Sequence, residues 1–444
     1  MSSRPRLDSW KEIAAYLGRD IRTVIRWEER RGLPVYRLPG GPRPRVFAYP
    51  DELDRWLEQR GTANEAPEAG TAMPNGPAIP QSAGSHGRYF KLIALSGLGL
   101  VLVVTAALSI LPRAAGSPRA LTIAGKELLA LDASGAPLWR YPFDAAGFGD
   151  PPKPWYHIGD FDADGRDEAL ASLEVTPPGA ANQHHGELVS FNGRGVPRWS
   201  VVPDDRIAFR EGDYGPPWAP ADLQTYAVDG EARFAWSVHH FTWWPGLLIT
   251  LDAAGNRLGS FVNSGWIRRT WSSPDGRHLF IVGVSHSREA YVLGVLDAAN
   301  PSGRSPELPD SPTECVHCPE GSPLQYVVFP RTDVSRQQPF PDHYPTVVTF
   351  DDGAVQVQVM ESGAPDVAAT LYELASAAGS TDPSGPPYEL REARFSDSYW
   401  NWHRRLEADG RLNHAAVDCP ERLGLDVQEW IPGRGWTLRR VAVR

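Results

Sequence analysis

The 444-residue sequence contains only three cysteines and three methionines. Three cysteines exclude a four-cysteine zinc site and limit the chain to one internal disulfide. The sequence also lacks the short motifs of common enzymes, with no Gly-x-Ser-x-Gly elbow, phosphate loop, His-Glu-x-x-His pair or kinase signature. We therefore expect a protein that is not an enzyme.

Long uncharged runs are equally scarce, and only one is long enough to cross a bilayer. Residues 92–111 contain no Asp, Glu, Lys, Arg, His, Asn or Gln, and a helix of this length spans roughly 30 Å. A buried core helix usually keeps a polar stripe, and a signal peptide lies within roughly the first thirty residues. The run therefore predicts a transmembrane helix within residues 88–113.

Charge is distributed unevenly on the two sides of this run. Residues 1–60 hold 13 Lys and Arg against 9 Asp and Glu, whereas residues 61–444 hold 31 against 45. A basic head favours a cytoplasmic N-terminus. All three cysteines follow the apolar run, which fits an exterior body where disulfides form. We therefore expect a single-pass protein of the cytoplasmic membrane, with its C-terminal domain exterior or periplasmic.

The basic head has the pattern of two short helices followed by a hairpin. Residues 9–17 carry apolar side chains at helical spacing, and Ser9 with Glu12 fits a capping box. Gly18 and Arg19 break this helix before a second one over residues 21–30. Residues 36–49 then form two short strands around a Pro- and Gly-rich tip, which predicts a β-hairpin wing.

The order WKEIAAYLGRDIRTVIRWEERRGLPVYR, basic wing and YPDELDRWL resembles the winged helix-turn-helix of MerR/excisionase-type DNA-binding proteins. In that family the second helix enters the major groove and the wing touches the backbone or minor groove. The resemblance implies DNA contacts from one threonine and six arginines, which suit guanine edges and phosphates: Arg19, Arg22, Thr23, Arg26, Arg37, Arg43 and Arg45. A small protein-interaction module remains the alternative.

The segment between the head and the apolar run is rich in Gly, Pro, Ala and Ser. Residues 61–87 hold few large apolar side chains, so burial cannot offset the entropy of ordering them. We expect a disordered linker that lets the head search for DNA. Because one head offers a small contact area, a homodimer on a paired site is expected.

The remaining chain, residues 116–444, carries short β-branched and aromatic runs between turn signals. Three similar stretches recur at intervals of sixty residues: LDASGAPLW, FNGRGVPRW and LDAAGNRLG. The first resembles a blade of quinoprotein-like propellers, which implies a β-propeller of six or seven irregular blades. A pair of β-sandwiches is the alternative. The short helical candidates are Leu371–Ala377 and Tyr399–Ala408.

An acidic stretch, HIGDFDADGRDEALASL, has the spacing of an oxygen-rich Ca²⁺ loop. Carboxylates alternate, a glycine makes the turn, and a further acid closes the site. The flanking Gly-Asp-Phe and Ala-Leu resemble the FG-GAP repeat of integrin-type propellers. We expect structural Ca²⁺, with ligands from four side chains and one carbonyl: Asp160, Asp162, Asp164, the Arg166 carbonyl and Glu168. An acidic turn without metal is the alternative.

The three cysteines are candidates for a structural disulfide. Cys315 and Cys318 could close a tight bridge, or one of them could pair with Cys419. Spacing alone cannot choose between these pairings, and one thiol is left over in either case.

These observations predict a multidomain fold: a small α winged helix-turn-helix with a β wing over residues 1–60, a linker over 61–87, a transmembrane helix over 88–113, and an all-β propeller over 116–444. The predicted function is a membrane-anchored one-component transcriptional regulator whose exterior propeller senses an unknown ligand or protein. The alternative is a membrane-anchored exterior binding or scaffold protein whose head mediates assembly.

Overall fold

A computed structural model describes residues 6–7, 10–17, 24, 33–37, 46–50, 52–53 and 116–444, the last range without 144, 146, 150–153, 177–183, 241, 243, 338–345, 352–353, 362–367 and 378–384. The chain divides into two compact units, Met1–Gly116 and Ser117–Arg444. Each unit is described by itself below.

The first unit combines one helix with a short hairpin. Its elements are α1 (Trp10–Leu17), β1 (Tyr36–Arg37) and β2 (Val46–Phe47). The two strands pair antiparallel, so the predicted hairpin over residues 36–49 forms. Buried side chains of the helix and the second strand share one small core with residues from both flanks: Ile13, Ala14, Leu17, Val24, Leu33, Val46, Ala48 and Leu53.

The predicted fold class is wrong for the chain as described. Strands dominate the described residues, which hold two α-helices, and neither is long and apolar enough to span a bilayer. A helical winged helix-turn-helix joined to a membrane helix is therefore not what these residues form. The predicted second helix over residues 21–30, the linker and the apolar run over residues 92–111 lie outside the described residues, residue 24 excepted.

The second unit begins with two antiparallel meanders. Meander I is a three-stranded sheet of β3 (Ala120–Ala124), β4 (Glu127–Leu131) and β5 (Pro137–Pro142). Meander II has β8 at its centre, paired with β9 on one side and with β6 and β7 on the other. Its strands are β6 (Gly147–Phe148), β7 (Tyr156–Gly159), β8 (Glu168–Thr176), β9 (His185–Phe191) and β10 (Pro197–Val201).

Short strands β11 (Ile207–Phe209) and β12 (Gly212–Tyr214) precede meander III. Meander III runs in sequence order through its long strands β13 (Trp218–Val228), β14 (Glu231–His240), β15 (Gly246–Asp252) and β16 (Arg257–Asn263). In meander IV the first three strands, β17 to β19, pair in sequence order, and β19 then pairs with β22. The strands of this stretch are β17 (Ile267–Ser272), β18 (His278–Ser285), β19 (Ala290–Asp297), β20 (Gly303–Arg304), β21 (Cys315–His317) and β22 (Gln325–Val328).

Meander V is four-stranded and consists of β23 (Thr346–Asp351), β24 (Ala354–Met360), β25 (Ala369–Ser376) and β26 (Tyr388–Phe395). A C-terminal hairpin of β27 (Leu425–Ile431) and β28 (Gly435–Val443) joins meanders IV and V into a ten-stranded sheet. Helix α2 (Asp397–Ala408) precedes this hairpin and is capped by the Ser396 hydroxyl, which accepts from the Tyr399 N–H. The helix predicted over Leu371–Ala377 is wrong: these residues lie mostly in β25, where burial alternates along the strand.

The hydrophobic cores lie between consecutive meanders. Leu128 of meander I packs with Leu173 of meander II, and the next cluster joins meander II to meander III around Trp218 and Trp236. Two further clusters join meander III to IV and meander IV to V. Meanders II, III and IV therefore each share a core with two different neighbours, as the blades of a propeller do, whereas a two-sheet sandwich has one core between its sheets.

Tryptophans of the sixty-residue repeat connect successive meanders. Trp139 of the first repeat packs against Gly195 in the turn of the second, and Trp199 packs against Gly255 in the turn of the third. The Trp199 indole also donates a 3.0 Å hydrogen bond to the Ala253 carbonyl. The repeat is thus a β-hairpin in meanders I to III, as its turn residues predicted.

This all-β arrangement is consistent with a β-propeller. The described residues of the second unit form the five meanders and one further three-stranded sheet of β12, β11 and β21. The β27–β28 hairpin near the end of the chain pairs with β22 and so extends an existing sheet.

Candidate functional site

The acidic stretch forms a tight loop between β7 and β8, whose ends pair at Gly159 and Glu168. Two residues of this loop adopt left-handed backbone conformations, Ala163 with φ 59° and Gly165 with φ 83°. Asp160 stabilises the turn because its carboxylate accepts hydrogen bonds from the Asp164 and Gly165 amides at 3.0 and 2.9 Å. Alternating aspartates therefore fold the loop by accepting from its own backbone.

Three of the predicted carboxylates come together. Oxygen atoms of Asp160, Asp162 and Glu168 lie within 4.8 Å of one another. Glu168 is buried at the start of β8 and accepts a 2.9 Å hydrogen bond from the Phe161 amide. Burial raises the pKa of Glu168, with the nearby Asp162 charge adding to the effect. An all-oxygen set of this kind fits a hard cation such as Ca²⁺.

Asp164, also predicted as a ligand, has a different role. The Asp164 carboxylate accepts from the Arg166 amide at 2.9 Å and is not part of the three-carboxylate cluster. The neighbouring Asp167 is also outside the cluster, and its Oδ2 lies 3.6 Å from Arg119 Nη1. The described geometry thus brings together three side chains of the predicted set.

Arg198 of β10 was missed by the sequence reasoning. Its Nη1 lies 2.6 Å from Asp162 Oδ2 and 3.8 Å from Glu168 Oε1. A guanidinium therefore provides positive charge at the position where a metal would bind. The sequence signal for this contact is that Arg198 stands next to the tryptophan of the repeat FNGRGVPRW. This repeat forms β9 and β10, which belong to the same sheet as β8, the strand that follows the acidic loop.

Of the residues expected to contact DNA, the structure describes Arg37 alone. Arg37 ends β1 and lies opposite Val46 across the hairpin. Aromatic rings of Tyr36, Phe47 and Tyr49 pack on the same hairpin, with centroids 5.3 to 6.0 Å apart. The remaining DNA candidates lie outside the described residues: Arg19, Arg22, Thr23, Arg26, Arg43 and Arg45.

The structure chooses between the two disulfide alternatives. Cys315 and Cys318 are bridged, with their Cα atoms 5.9 Å apart. Strand β21 containing Cys315 pairs with β11, and both cysteines pack against the core between meanders II and III. Cys419 is a buried free thiol, and burial raises its pKa to about 12.

Comparisons with known proteins identify no family for this chain. No family model matches it, and no curated protein matches it.

Solved structures show faint resemblances. The chain is 9% identical to a eukaryotic initiation factor over 62% of either chain, with a TM-score of 0.28. It is 11% identical to the β-propeller domain of the Trilobed protease from Pyrococcus furiosus, covering 51% of this chain and 53% of that one at a TM-score of 0.26. It is 12% identical to Kuenenia stuttgartiensis hydrazine synthase, covering 72% and 81% at 0.29. The chain spans less than two thirds of the first two proteins, and these TM-scores carry no argument about fold or function.

Proposed function

We propose that this chain regulates transcription, with an N-terminal unit that binds DNA and an all-β body that binds a signal. The observation that carries the proposal is the division into two compact units of opposite charge balance. Residues 1–116 carry 16 basic and 11 acidic side chains, and residues 117–444 carry 28 and 43. A basic unit attracts phosphate, whereas an acidic body repels it.

The hairpin of the first unit supports DNA contact. Arg37 lies in β1 next to the aromatic pair Tyr36 and Phe47, and Val46 of β2 belongs to the small core. The Tyr36 hydroxyl donates a 2.8 Å hydrogen bond to Glu52, which ties the hairpin to the segment that follows. A basic hairpin held in this way can contact phosphates without being reordered on binding. Two copies on a paired site would supply enough contact area.

The body supplies the regulatory half of the proposal. Consecutive meanders with separate cores between them form a scaffold on whose loops a ligand or protein can bind. Ca²⁺ bound by Asp160, Asp162 and Glu168 would stabilise the β7–β8 loop of that scaffold. A signal controls DNA binding only if it binds one state of the protein better than the other.

The two units are proposed to lie in different compartments. DNA binding requires the first unit in the cytoplasm, and the Cys315–Cys318 disulfide favours an oxidising location for the body. Reporter fusions at Gly61 and Arg444 test this. A cytoplasmic Gly61 with an exterior Arg444 supports the proposal, and the opposite orientation removes the first unit from any chromosome.

DNA binding is tested with the full chain by fluorescence anisotropy on random duplex DNA over a series of salt concentrations. A variant carrying Arg22→Ala, Arg26→Ala and Arg45→Ala should bind at least about tenfold more weakly and show a shallower salt dependence. The matched control removes three exposed arginines of the body: Arg140→Ala, Arg277→Ala and Arg440→Ala. Equal losses in both variants would mean that only net charge matters, and the proposal would fail.

A second candidate is a binding or scaffold protein whose first unit mediates assembly. Tyr16 and Tyr36 are the observation that favours it, because both keep large aromatic surface exposed on a small unit. Exposed tyrosine is enriched at protein interfaces. Sedimentation of the full chain without DNA distinguishes the two functions. A dimer that a Tyr36→Ala change dissociates, together with no DNA binding at low salt, would support assembly.

A further inference from the structure

Four side chains that bind metals in many proteins meet at one place in the second unit. Asp333 precedes a short 3-10 helix at Ser335–Gln337, and His403 lies within α2. His414 follows α2 in the loop, and Cys419 caps a second 3-10 helix at Pro420–Leu423. One ligand atom from each lies within 4.8 Å of all the others. The cluster is separate from the acidic loop of meander II.

The distances match a tetrahedral metal site. The Nε2 atoms of His403 and His414 are 3.2 Å apart, and His414 Nε2 is 3.2 Å from Asp333 Oδ2. The Cys419 sulfur is 3.6 Å from the same carboxylate oxygen. Zinc bonds of about 2.0–2.3 Å at tetrahedral angles place neighbouring ligand atoms about 3.3–3.6 Å apart. Three of the six separations among the four atoms therefore already match those that a central zinc ion imposes, and the other three lie within 4.8 Å.

Hydrogen bonds direct lone pairs into this space. The Nδ1 of His414 lies 3.0 Å from the side-chain oxygen of Asn413, an atom that can only accept, so Nδ1 carries the proton. The neutral ring then presents an Nε2 lone pair to the Asp333 carboxylate and to His403. His403 is fully buried, and among the described residues its Nδ1 has no hydrogen-bond partner. Its polar contact is thus made by Nε2, on the side of the cluster.

Hydrogen bonds from residues outside the cluster hold Asp333 in place. Arg336 donates a 2.7 Å hydrogen bond to Asp333 Oδ1, which leaves Oδ2 directed at His414 and Cys419. The backbone amide of Asp333 donates to Glu421 at 2.7 Å, and the hydroxyl of buried Tyr399 donates to the other oxygen of Glu421. Such outer contacts orient metal ligands and tune their affinity.

We propose that Asp333, His403, His414 and Cys419 bind one Zn²⁺ ion in a closed tetrahedral site. Two imidazoles, a thiolate and a carboxylate form a donor set that suits zinc, and four protein ligands leave no position for substrate. The site is therefore structural. It ties α2 and the loop that follows it to Asp333, which lies about seventy residues earlier in the chain. On binding, the Cys419 thiol releases its proton to solvent and its sulfur bonds the metal.

Cobalt substitution of the full chain tests the proposal without any mutation. Protein is stripped with a chelator and titrated with Co²⁺ while the absorption spectrum is recorded. A tetrahedral site with one thiolate gives strong visible d–d bands and a sulfur-to-cobalt charge-transfer band. Saturation at about one ion per chain, with displacement by Zn²⁺, is the expected result. A spectrum of weak octahedral bands without charge transfer would overturn the proposal.

Variants identify the ligands and separate this site from the acidic loop. Cys419→Ser should abolish the charge-transfer band, and His414→Ala should lower Co²⁺ affinity at least about tenfold. Controls are His317→Ala, an exposed histidine on β21, and Asp160→Asn in the acidic loop. Both controls should keep the wild-type spectrum. Because a ligand variant can unfold, near-ultraviolet circular dichroism is recorded alongside. A folded Cys419→Ser chain that keeps the charge-transfer band would overturn the assignment.

Chelation provides a second readout. Because the metal binds the folded state, its removal should lower the thermal midpoint of the wild-type body. The same treatment should lower the midpoint of folded Cys419→Ser less than that of wild type, because any Ca²⁺ lost from the acidic loop is lost from both chains. Equal midpoint shifts in wild type and Cys419→Ser would show that the chelator acts elsewhere, and would count against the site.

Discussion

At the scale of single residues, the acidic loop already pairs with a positively charged side chain, that of Arg198. Arg198 lies 2.6 Å from Asp162 and 3.8 Å from Glu168, so a bound Ca²⁺ ion would have to displace or repel a guanidinium. Exposed ion pairs contribute little to stability, and the loop can therefore lose this contact at low cost. The competition between arginine and metal can be measured directly.

We predict that Arg198→Gln raises the Ca²⁺ affinity of the full chain by about tenfold, equivalent to about 1.4 kcal/mol, because a competing charge is removed. Isothermal titration calorimetry at low ionic strength checks this. Arg194→Gln, an exposed residue in the β9–β10 turn, is the matched control and should leave the affinity unchanged. If Arg198→Gln binds Ca²⁺ no better than wild type, the carboxylate cluster is an ion-pair site alone.

His239 sets a pH limit on the stability of meander III. Burial lowers the pKa of His239 to about 4, and its Nδ1 donates a 2.8 Å hydrogen bond to the His240 carbonyl. The folded pKa of His239 lies below its unfolded value. The contribution of the neutral ring to the free energy of unfolding is therefore present above about pH 6.5 and is lost as the pH falls toward 4.

From His239 alone, we expect the free energy of unfolding to fall by about 2 kcal/mol between about pH 7.5 and pH 5. His239→Asn keeps a donor near the His240 carbonyl and cannot be protonated, so it should lack this part of the pH dependence. Urea denaturation at both pH values measures the difference. The exposed His317→Asn should behave like wild type. Parallel pH profiles of wild type and His239→Asn would contradict the prediction.

At the scale of the elements, the sixty-residue repeat provides its own internal comparison. Gly135, Gly195 and Gly255 occupy equivalent turns with φ of 82°, 78° and 85°. A Cβ atom on Gly195 would lie 2.5 Å from the Trp139 ring, whereas one on Gly135 would meet nothing within 4 Å. Gly135 is therefore required only by the conformation of its turn. Gly195 is required both by its turn and by the close contact with Trp139 of meander I.

We predict that Gly135→Ala costs about 1–2 kcal/mol of unfolding free energy, from its left-handed backbone alone. Gly195→Ala should cost about 1–3 kcal/mol more, because its methyl group also displaces Trp139. Chemical denaturation of the two variants measures both costs. Replacing Trp139 by Leu in the Gly195→Ala background should recover part of the additional loss. Equal costs at the two glycines would mean that the tryptophan contact does not constrain the turn.

Local sequence patterns predicted some helices and strands correctly and others wrongly. The hairpins of the repeat and helix α2 follow from local signals, a glycine in each turn and a serine cap before α2. The helix predicted at Leu371–Ala377 is wrong. The apolar residues of this segment fit both the helical and the strand period, and pairing with β24 and β26 favours the strand. Pairing across the sheet is information that a short window of sequence does not hold.

At the scale of the whole molecule, the two compact units should unfold separately. The Cys315–Cys318 bridge lies in the second unit and closes a short loop, so its entropic stabilisation is only about 2 kcal/mol. Replacing both cysteines by serine should lower the calorimetric transition of the body. The transition of the first unit should stay in place, since the units share no disulfide. A single transition that moves as a whole would contradict independent units.

The sequence alone determined those features that depend on neighbours along the chain. Turn glycines, an alternating strand pattern and closely spaced aspartates act over a few residues, so the repeat hairpins and the Asp160–Asp162–Glu168 loop could be predicted. The tertiary structure decided what depends on distant residues meeting. Arg198 reaches the acidic loop across paired strands, and β27 and β28 join meanders IV and V into one ten-stranded sheet. Asp333 joins His403, His414 and Cys419 only after α2 packs beside meander V, because no spacing in the sequence brings them together.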